Sequence, residues 1–496
     1  MTDAPQQIEL SLVSHTNVGK TTLARTLLGQ DVGEVRDEPH VTVLAEPHTM
    51  IETSDGDALR LWDTPGFGDS MRLARRLEQS ENPLGALLAS VWDRFSDRPF
   101  WSTQQAVKNV RDHADAVLYL VNASEAPSDA GYVAPEMRIL TWIGKPVLVL
   151  LNQTGVPRPR REEEAEEARW RSHVAQYGVV RNVLTLDAFT RCWVQEITLL
   201  RALADVLPAS KRSAFERLQR AWVGRRQDQF DESMAALGEQ LARTACDREV
   251  VEDAGLRARL REVGSALGMG GTDESGPLGR TMRALAERLD AEIRQATDRL
   301  IAIHGLGGRA GRDVLERLAE NYDVKRGLSE GKSALVGGVL TGALAGLKAD
   351  LASGGLTFGA GLLVGGLLGA LGGAGLARGY NLVRGAQTTS VQWSDAALSE
   401  FAAGALLRYL AVAHYGRGRG EWTARGYPDF WSEAVKTAVE ARSEALSGLW
   451  ARRAGERARE DLAPAIRDLL AESAREVLER LYPGSLTGTS PARPAQ

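Results

Sequence analysis

Eight consecutive residues, Ser14-His15-Thr16-Asn17-Val18-Gly19-Lys20-Thr21, have the types needed to hold a polyphosphate. They follow an apolar run ending at Val13 and open a helical pattern over residues 22–28. A loop in that setting turns backbone N–H groups towards phosphate oxygens at a helix N-terminus, which favours negative charge. Gly19 lets the backbone approach closely. Lys20 brings an ammonium to the β- and γ-phosphates, and Thr21 brings a hydroxyl to Mg²⁺. His15, Thr16, Asn17, Val18 and Thr22 complete the expected phosphate cradle. The spacing is that of G-x-x-x-x-G-K-[ST], with Ser14 in place of the first glycine. A small serine serves there if its φ stays negative.

Two further signals lie downstream. Leu59-Arg60-Leu61-Trp62-Asp63-Thr64-Pro65-Gly66 is a strand pattern ending in Asp-x-x-Gly. Asp63 at the strand's end can reach Mg²⁺ through a water, and the Gly66 amide can touch a γ-phosphate and so register its loss. Between the two motifs, Thr42 is the candidate for a second Mg²⁺ hydroxyl, with Thr49 as its competitor.

These residues need a parallel sheet to position them. Strand patterns occur at residues 8–13, 50–53, 59–62, 116–121, 147–151 and 179–184. The second and third are joined by Ser54-Asp55-Gly56-Asp57, a hairpin signal. The others are separated by helix-length segments, as crossover connections require. The fold expected over residues 1–207 is α/β: a mostly parallel, doubly wound P-loop NTPase sheet with a helical insertion over 70–113. After Pro208 strand signals vanish. The rest is expected to be all-α: helical over 208–330, a glycine-rich apolar hairpin over 331–385, helical over 386–483 and a disordered tail over 484–496.

Asn17-Val18-Gly19-Lys20-Thr21 followed by Asp63-Thr64-Pro65-Gly66 resembles the Era and TrmE-like branch of translation-factor-class (TRAFAC) GTPases. More narrowly, the chain resembles bacterial GTPases that end in a domain of unknown function (number 3482). The resemblance implies GTP as substrate, hydrolysed to GDP and phosphate with Mg²⁺. It also implies that Asn17 can help hold K⁺ beside the phosphates, supplying charge that an arginine finger supplies elsewhere. Phe67 stands where Ras-type enzymes carry a water-orienting glutamine, so intrinsic hydrolysis should be slow. His15 could orient water instead, but a solvent-exposed loop histidine is the reading preferred. The family reads guanine with Asn-Lys-x-Asp. Here the run is Asn152-Gln153-Thr154-Gly155. Asn152 matches, Gln153 lacks the lysine stem and Gly155 lacks the carboxylate that accepts from guanine. Asp187 is a candidate substitute for it, or a helix N-cap. ATP or loose selectivity therefore stays open beside GTP.

Seventeen of the 51 glycines fall within residues 331–385, so the glycine surplus is localised rather than dispersed. Gly338, Gly342 and Gly346, and then Gly361, Gly365, Gly369 and Gly373, recur at steps of four. On a helix each set lines one face, a zipper groove that lets helices approach closely. Residues 334–377 are accordingly expected to contact a membrane, with a buried soluble hairpin as the alternative. Charge argues for little beyond this: 60 basic and 65 acidic side chains give a net −5, and no nucleic-acid partner is expected. Residues 158–171 read as a solvated helix face. Cys192 and Cys246 fit a reducing compartment, and the N-terminus shows no signal-peptide core. The expected location is cytoplasmic, at the inner face of the cytoplasmic membrane. The leading function is a GTP-hydrolysing switch with an unknown protein effector and a nucleotide-dependent homodimer. The alternatives are a dynamin-like membrane-remodelling GTPase and a nucleotide-gated scaffold with little hydrolysis.

Overall fold

The computed structural model describes residues 4–30, 45–79, 81–82, 85, 97–154, 158–188, 192–251, 277–306, 380–384, 389–416, 429–455 and 457–486. All six expected strands are present: β1 (Gln7–Ser14), β2 (Glu46–Glu52), β3 (Ala58–Asp63), β4 (Ala116–Asn122), β5 (Val147–Asn152) and β6 (Val180–Thr185). They form one sheet in the order β2-β3-β1-β4-β5-β6. Only β2 runs antiparallel, paired with β3 through the expected hairpin. The other four pairings are parallel.

The central strands are apolar on both faces because helices cover both. On one face Leu10, Leu12, Leu118 and Leu148 pack with α1 (Lys20–Leu28) and α6 (Trp193–Val206). On the other, Val117, Tyr119, Val149 and Leu151 pack with α2 (Ser70–Glu78), α3 (Arg98–Asp112), α4 (Val133–Ile143) and α5 (Arg160–Val174). The insertion over 70–113 is thus helical where it is described, and Phe100 is fully buried in that second core. The helix read as a solvated face is corrected in part. One side of α5 is charged and exposed, but Glu166, Trp170 and Val174 are buried.

The chain divides into two compact units. The first contains Met1–Gln227 with His414–Thr423 and Tyr482–Gln496. It extends past residue 207 because Phe215, Leu218 and Trp222, on the first part of α7 (Arg212–Cys246), join the core under the sheet. The tail expected to be disordered from 484 begins folded in this unit: Arg201 donates to the Gly484 carbonyl at 2.8 Å, and Ser485 is buried. The second unit contains Asp228–Ala413 and Ala424–Leu481. It holds the remainder of α7, α8 (Pro277–Ile303), α9 (Asp395–Ala413), α10 (Asp429–Glu440), α11 (Ser443–Ala451) and α12 (Ala458–Leu481). It is helical as expected, with one exception. Three short strands, β7 (Arg248–Val250), β8 (Tyr380–Arg384) and β9 (Thr389–Trp393), form an antiparallel sheet in the order β7-β9-β8. Residues 380–384 are therefore a strand and not the end of a glycine-rich helical hairpin. The zipper segment itself, 334–377, lies outside the described residues. Among the described residues only α9 is long and apolar enough to cross a membrane, and 67% of its most apolar window is buried within the protein.

Candidate functional site

The phosphate loop sits at the C-terminal end of β1, where ligands bind in open parallel sheets. Two residues give it its curl. Asn17 has φ 64° and Gly19 has φ 96°. Asn17 and Gln153 are the non-glycine residues with positive φ among the described residues, so Ser14 meets the condition for replacing glycine. Gly19 caps α1 in a left-handed conformation with no side chain capping the helix start. The first-turn N–H groups of α1 are thus presented at a helix N-terminus, the arrangement that attracts anions. A Cβ on Gly19 would lie 2.8 Å from Asn152 Nδ2, so glycine is required there for space as well as for φ.

Lys20 is buried, and its ammonium donates to Ser14 Oγ at 3.1 Å. Burial pushes its pKa down, against the pull of the Asp63 and Glu136 carboxylates. Thr21 donates its hydroxyl to Asp63 Oδ2 at 2.6 Å. The other Asp63 oxygen, Oδ1, is buried without a hydrogen-bond partner. Burial raises the Asp63 pKa, opposed by the Thr21 hydrogen bond and by Lys20. An orphaned carboxylate oxygen beside a threonine hydroxyl, in a pocket that disfavours negative charge, fits a hard divalent cation such as Mg²⁺. Thr21 and Asp63 are the residues that would hold it. Thr42, the third candidate, lies outside the described residues.

Gly66 closes onto this loop. A Cβ there would lie 3.1 Å from Lys20 Nζ and 3.1 Å from Thr16 Cα. Phe67 N donates to the Ser14 carbonyl at 3.0 Å, which extends the β1–β3 pairing by one bridge, His15 to Phe67. Phe67 is fully buried in the second core. Val18 and Thr22 are buried, Thr16 is half-buried and Asn17 is exposed. His15 is not the free loop histidine expected. Its Nδ1 lies 2.8 Å from Glu136 Oε1, and its ring stacks on Tyr132 at 4.7 Å.

The loop that follows β5 is tied to the phosphate loop through Asn152. Its Nδ2 donates to the Val18 carbonyl at 2.7 Å, and its Oδ1 accepts from Ala188 N at 2.8 Å. Asp187 is not a helix N-cap, because α6 begins at Trp193. Instead Asp187 Oδ2 accepts from Thr154 N at 2.6 Å and from Thr154 Oγ1 at 3.0 Å, which fixes the strand-end loop that carries Gln153. Gly155 lies outside the described residues.

Residues 9–153 match the family model described as 50S ribosome-binding GTPase. This segment has the P-loop GTPase fold. Residues 317–482 match a second model, a domain of unknown function (DUF3482). No curated protein matches the chain. Similar solved structures include Era in complex with MgGDPNP and a segment of 16S ribosomal RNA, at 16% identity over 41% of this chain, with a TM-score of 0.30. They also include a variant of Aquifex aeolicus Era bound to GDP·AlF4⁻, at 16% identity over 41% of this chain, with a TM-score of 0.30. A third is Toc33 from Arabidopsis thaliana, at 15% identity over 38% of this chain and 73% of that one, with a TM-score of 0.24. The chain spans 58% and 57% of the lengths of the two Era chains.

Of the expected site residues, Ser14, Gly19, Lys20, Thr21, Asp63, Gly66 and Asn152 are brought together at the C-terminal ends of β1, β3 and β5. Sequence reasoning missed Glu136. Its signal was the single carboxylate of the helix Val133–Ile143, which is apolar apart from it, Arg138 and Thr141.

Proposed function

We propose that the protein is a Mg²⁺-dependent GTPase that works as a nucleotide switch. The observation that carries the reading is the Lys20–Ser14 and Thr21–Asp63 pairing beneath Gly66. Lys20 and the α1 N-terminus bind the phosphates and take up negative charge as it develops. Bound Mg²⁺ would add further charge neutralisation at the phosphates. Water attacks the γ-phosphorus, the bond to the β–γ bridging oxygen breaks, and GDP and phosphate leave. Gly66, closely apposed to Thr16 and Lys20, is the position at which loss of the γ-phosphate is felt.

Phosphate release from GTP by the wild type and by Lys20→Ala tests this. Turnover in the wild type and its loss in the variant are expected; equal release by both sinks the enzymatic reading. The burial of Phe67 favours one second reading, a nucleotide-gated scaffold that binds and barely turns over. Nucleotide binding without turnover, with K⁺ present, would support it. The exposed Asn17, held at φ 64°, is the residue through which K⁺ would act. The membrane contact proposed for 334–377 rests on its glycine spacing alone. Flotation with anionic vesicles tests it against a chain lacking that segment.

A further inference from the structure

Glu136 is fully buried and lies on α4, outside the phosphate loop and outside the segment that follows Asp63. Its carboxylate gathers three donors from three other elements. His15 of the phosphate loop approaches Oε1 at 2.8 Å, and Ser70, the first residue of α2, donates to the same oxygen at 3.2 Å. Tyr119 of β4 donates to Oε2 at 2.7 Å. Against a carboxylate, which only accepts, His15 Nδ1 carries the proton. The first turn of α4, where Glu136 sits, also favours negative charge.

Burying a carboxylate is expensive unless it is well bonded, and burial here pushes the Glu136 pKa up. An apolar residue would fill the same core more cheaply. What the carboxylate adds is a shared oxygen between the loop that binds phosphate and the helix that follows the γ-phosphate sensor. Only Phe67, Gly68 and Asp69 separate Gly66 from Ser70. At the near end of that stretch, Phe67 N is bonded to the Ser14 carbonyl. At the far end, Ser70 is bonded to the carboxylate that also holds His15. Both ends of the segment after Gly66 are therefore latched to the first two residues of the phosphate loop.

We propose that Glu136 is a positioning residue for the hydrolytic step: it sets where the Gly66–Ser70 segment lies against the phosphate loop, and so sets turnover rather than nucleotide affinity. The proposal rests on the GTPase reading above. Phosphate contacts come from Lys20 and the backbone N–H groups of the loop; the Glu136 carboxylate bonds the His15 and Ser70 side chains rather than these groups, and reaches Lys20 only through its charge. The placement of Gly66 does depend on it, and a shift of about 1 Å in a reacting arrangement can cost about a hundredfold in rate.

The test compares Glu136→Gln, Ser70→Ala, Ser70→Thr and Tyr119→Phe in the full chain, with Lys20→Ala as reference. Steady-state kinetics with Mg·GTP, the Kd for GDP, thermal unfolding and hydrogen exchange over residues 66–78 are measured for each. Glu136→Gln and Ser70→Ala should lower kcat about tenfold, with KM and the GDP Kd within about twofold of wild type. Ser70→Thr, which keeps the hydroxyl, should restore kcat. Tyr119→Phe should leave kcat within about twofold, because it removes a bond from the same carboxylate without touching loop or α2. Unchanged kcat in folded Glu136→Gln and Ser70→Ala proteins, beside a dead Lys20→Ala, overturns the proposal and leaves the GTPase reading intact. An equal fall in Tyr119→Phe also overturns it, since burial of the carboxylate alone would then explain the effect. If the wild type binds GTP without turnover, the GTPase reading fails and exchange decides. Nucleotide-induced protection over 66–78 in wild type and Ser70→Thr but not in Ser70→Ala supports the latch; equal protection in all three overturns it.

Discussion

Gly19 is the residue on which the phosphate loop depends most sharply, and Gly19→Ala tests why. Two costs add. The backbone is held at φ 96°, where an L side chain is strained by about 1–3 kcal/mol. The new methyl would also lie 2.8 Å from Asn152 Nδ2, so that amide must move. Asn152 is buried and bridges the Val18 carbonyl and the Ala188 amide. Displacing it leaves at least one buried backbone group unpaired, at about 1–3 kcal/mol. The sum is about 2–6 kcal/mol, which is about 30-fold or more in affinity if it falls on the nucleotide-bound state. The assay is equilibrium binding of a fluorescent guanine nucleotide, with thermal unfolding run in parallel. Gly19→Ala in an Asn152→Ala background removes the steric part and isolates the φ part, so the two substitutions should be less than additive. Binding and melting of Gly19→Ala within about twofold and 1 °C of wild type would show that neither the φ nor the contact with Asn152 matters.

Asp63→Asn should act in opposite directions on two observables. It should stabilise the nucleotide-free protein in thermal melts, because burial disfavours the charge, and raise the Mg²⁺ needed for half-maximal nucleotide binding about 10–100-fold. Phe67→Gln should not create a faster enzyme. The side chain is fully buried in the core, so a loss of about 3 kcal/mol or more in denaturant unfolding is expected, with no rise in kcat. Glu136 has its pKa raised by burial, so its contribution to stability is fully present below its unfolded value and is lost as pH rises through the folded value. Unfolding free energy of the nucleotide-free protein should therefore fall with pH across that window, and Glu136→Gln should flatten the slope.

The sheet was legible because each strand is a short apolar run between turn signals, and because helix-length connections imply mostly parallel strands; the strand order was not legible in this way. The hairpin at Gly56 was legible for the same local reason, and its φ of 86° is what glycine permits. Two kinds of feature were not legible. β7 is three residues long and pairs with β9 across more than a hundred intervening residues, so no local periodicity marks it. Glu136 and Asp187 act through tertiary contacts. The types of these residues announce a charge, but their partners, His15 and Ser70 in one case and Thr154 in the other, come from distant strand ends and helix starts. His15 was misjudged because a loop position gives no hint of a buried carboxylate reaching it from α4. Arg226, a charged residue on the long helix α7, binds the buried Glu196 at 2.9 Å and lies over Trp222. An amphipathic arginine on a long helix is as able to close a core as to face water.

On the function proposed above, Lys20, Thr21, Asp63 and Gly66 form a Mg²⁺-dependent site for a guanine nucleoside triphosphate. Calorimetric titration of the full chain with GTP, GDP and ATP, with and without Mg²⁺ and against Lys20→Ala, is the deciding measurement. GTP should bind with Mg²⁺, chelation or Lys20→Ala should weaken it strongly, and ATP should bind less tightly. Equal heats for GTP in wild type and Lys20→Ala, or GTP binding unaffected by removal of Mg²⁺, would contradict it.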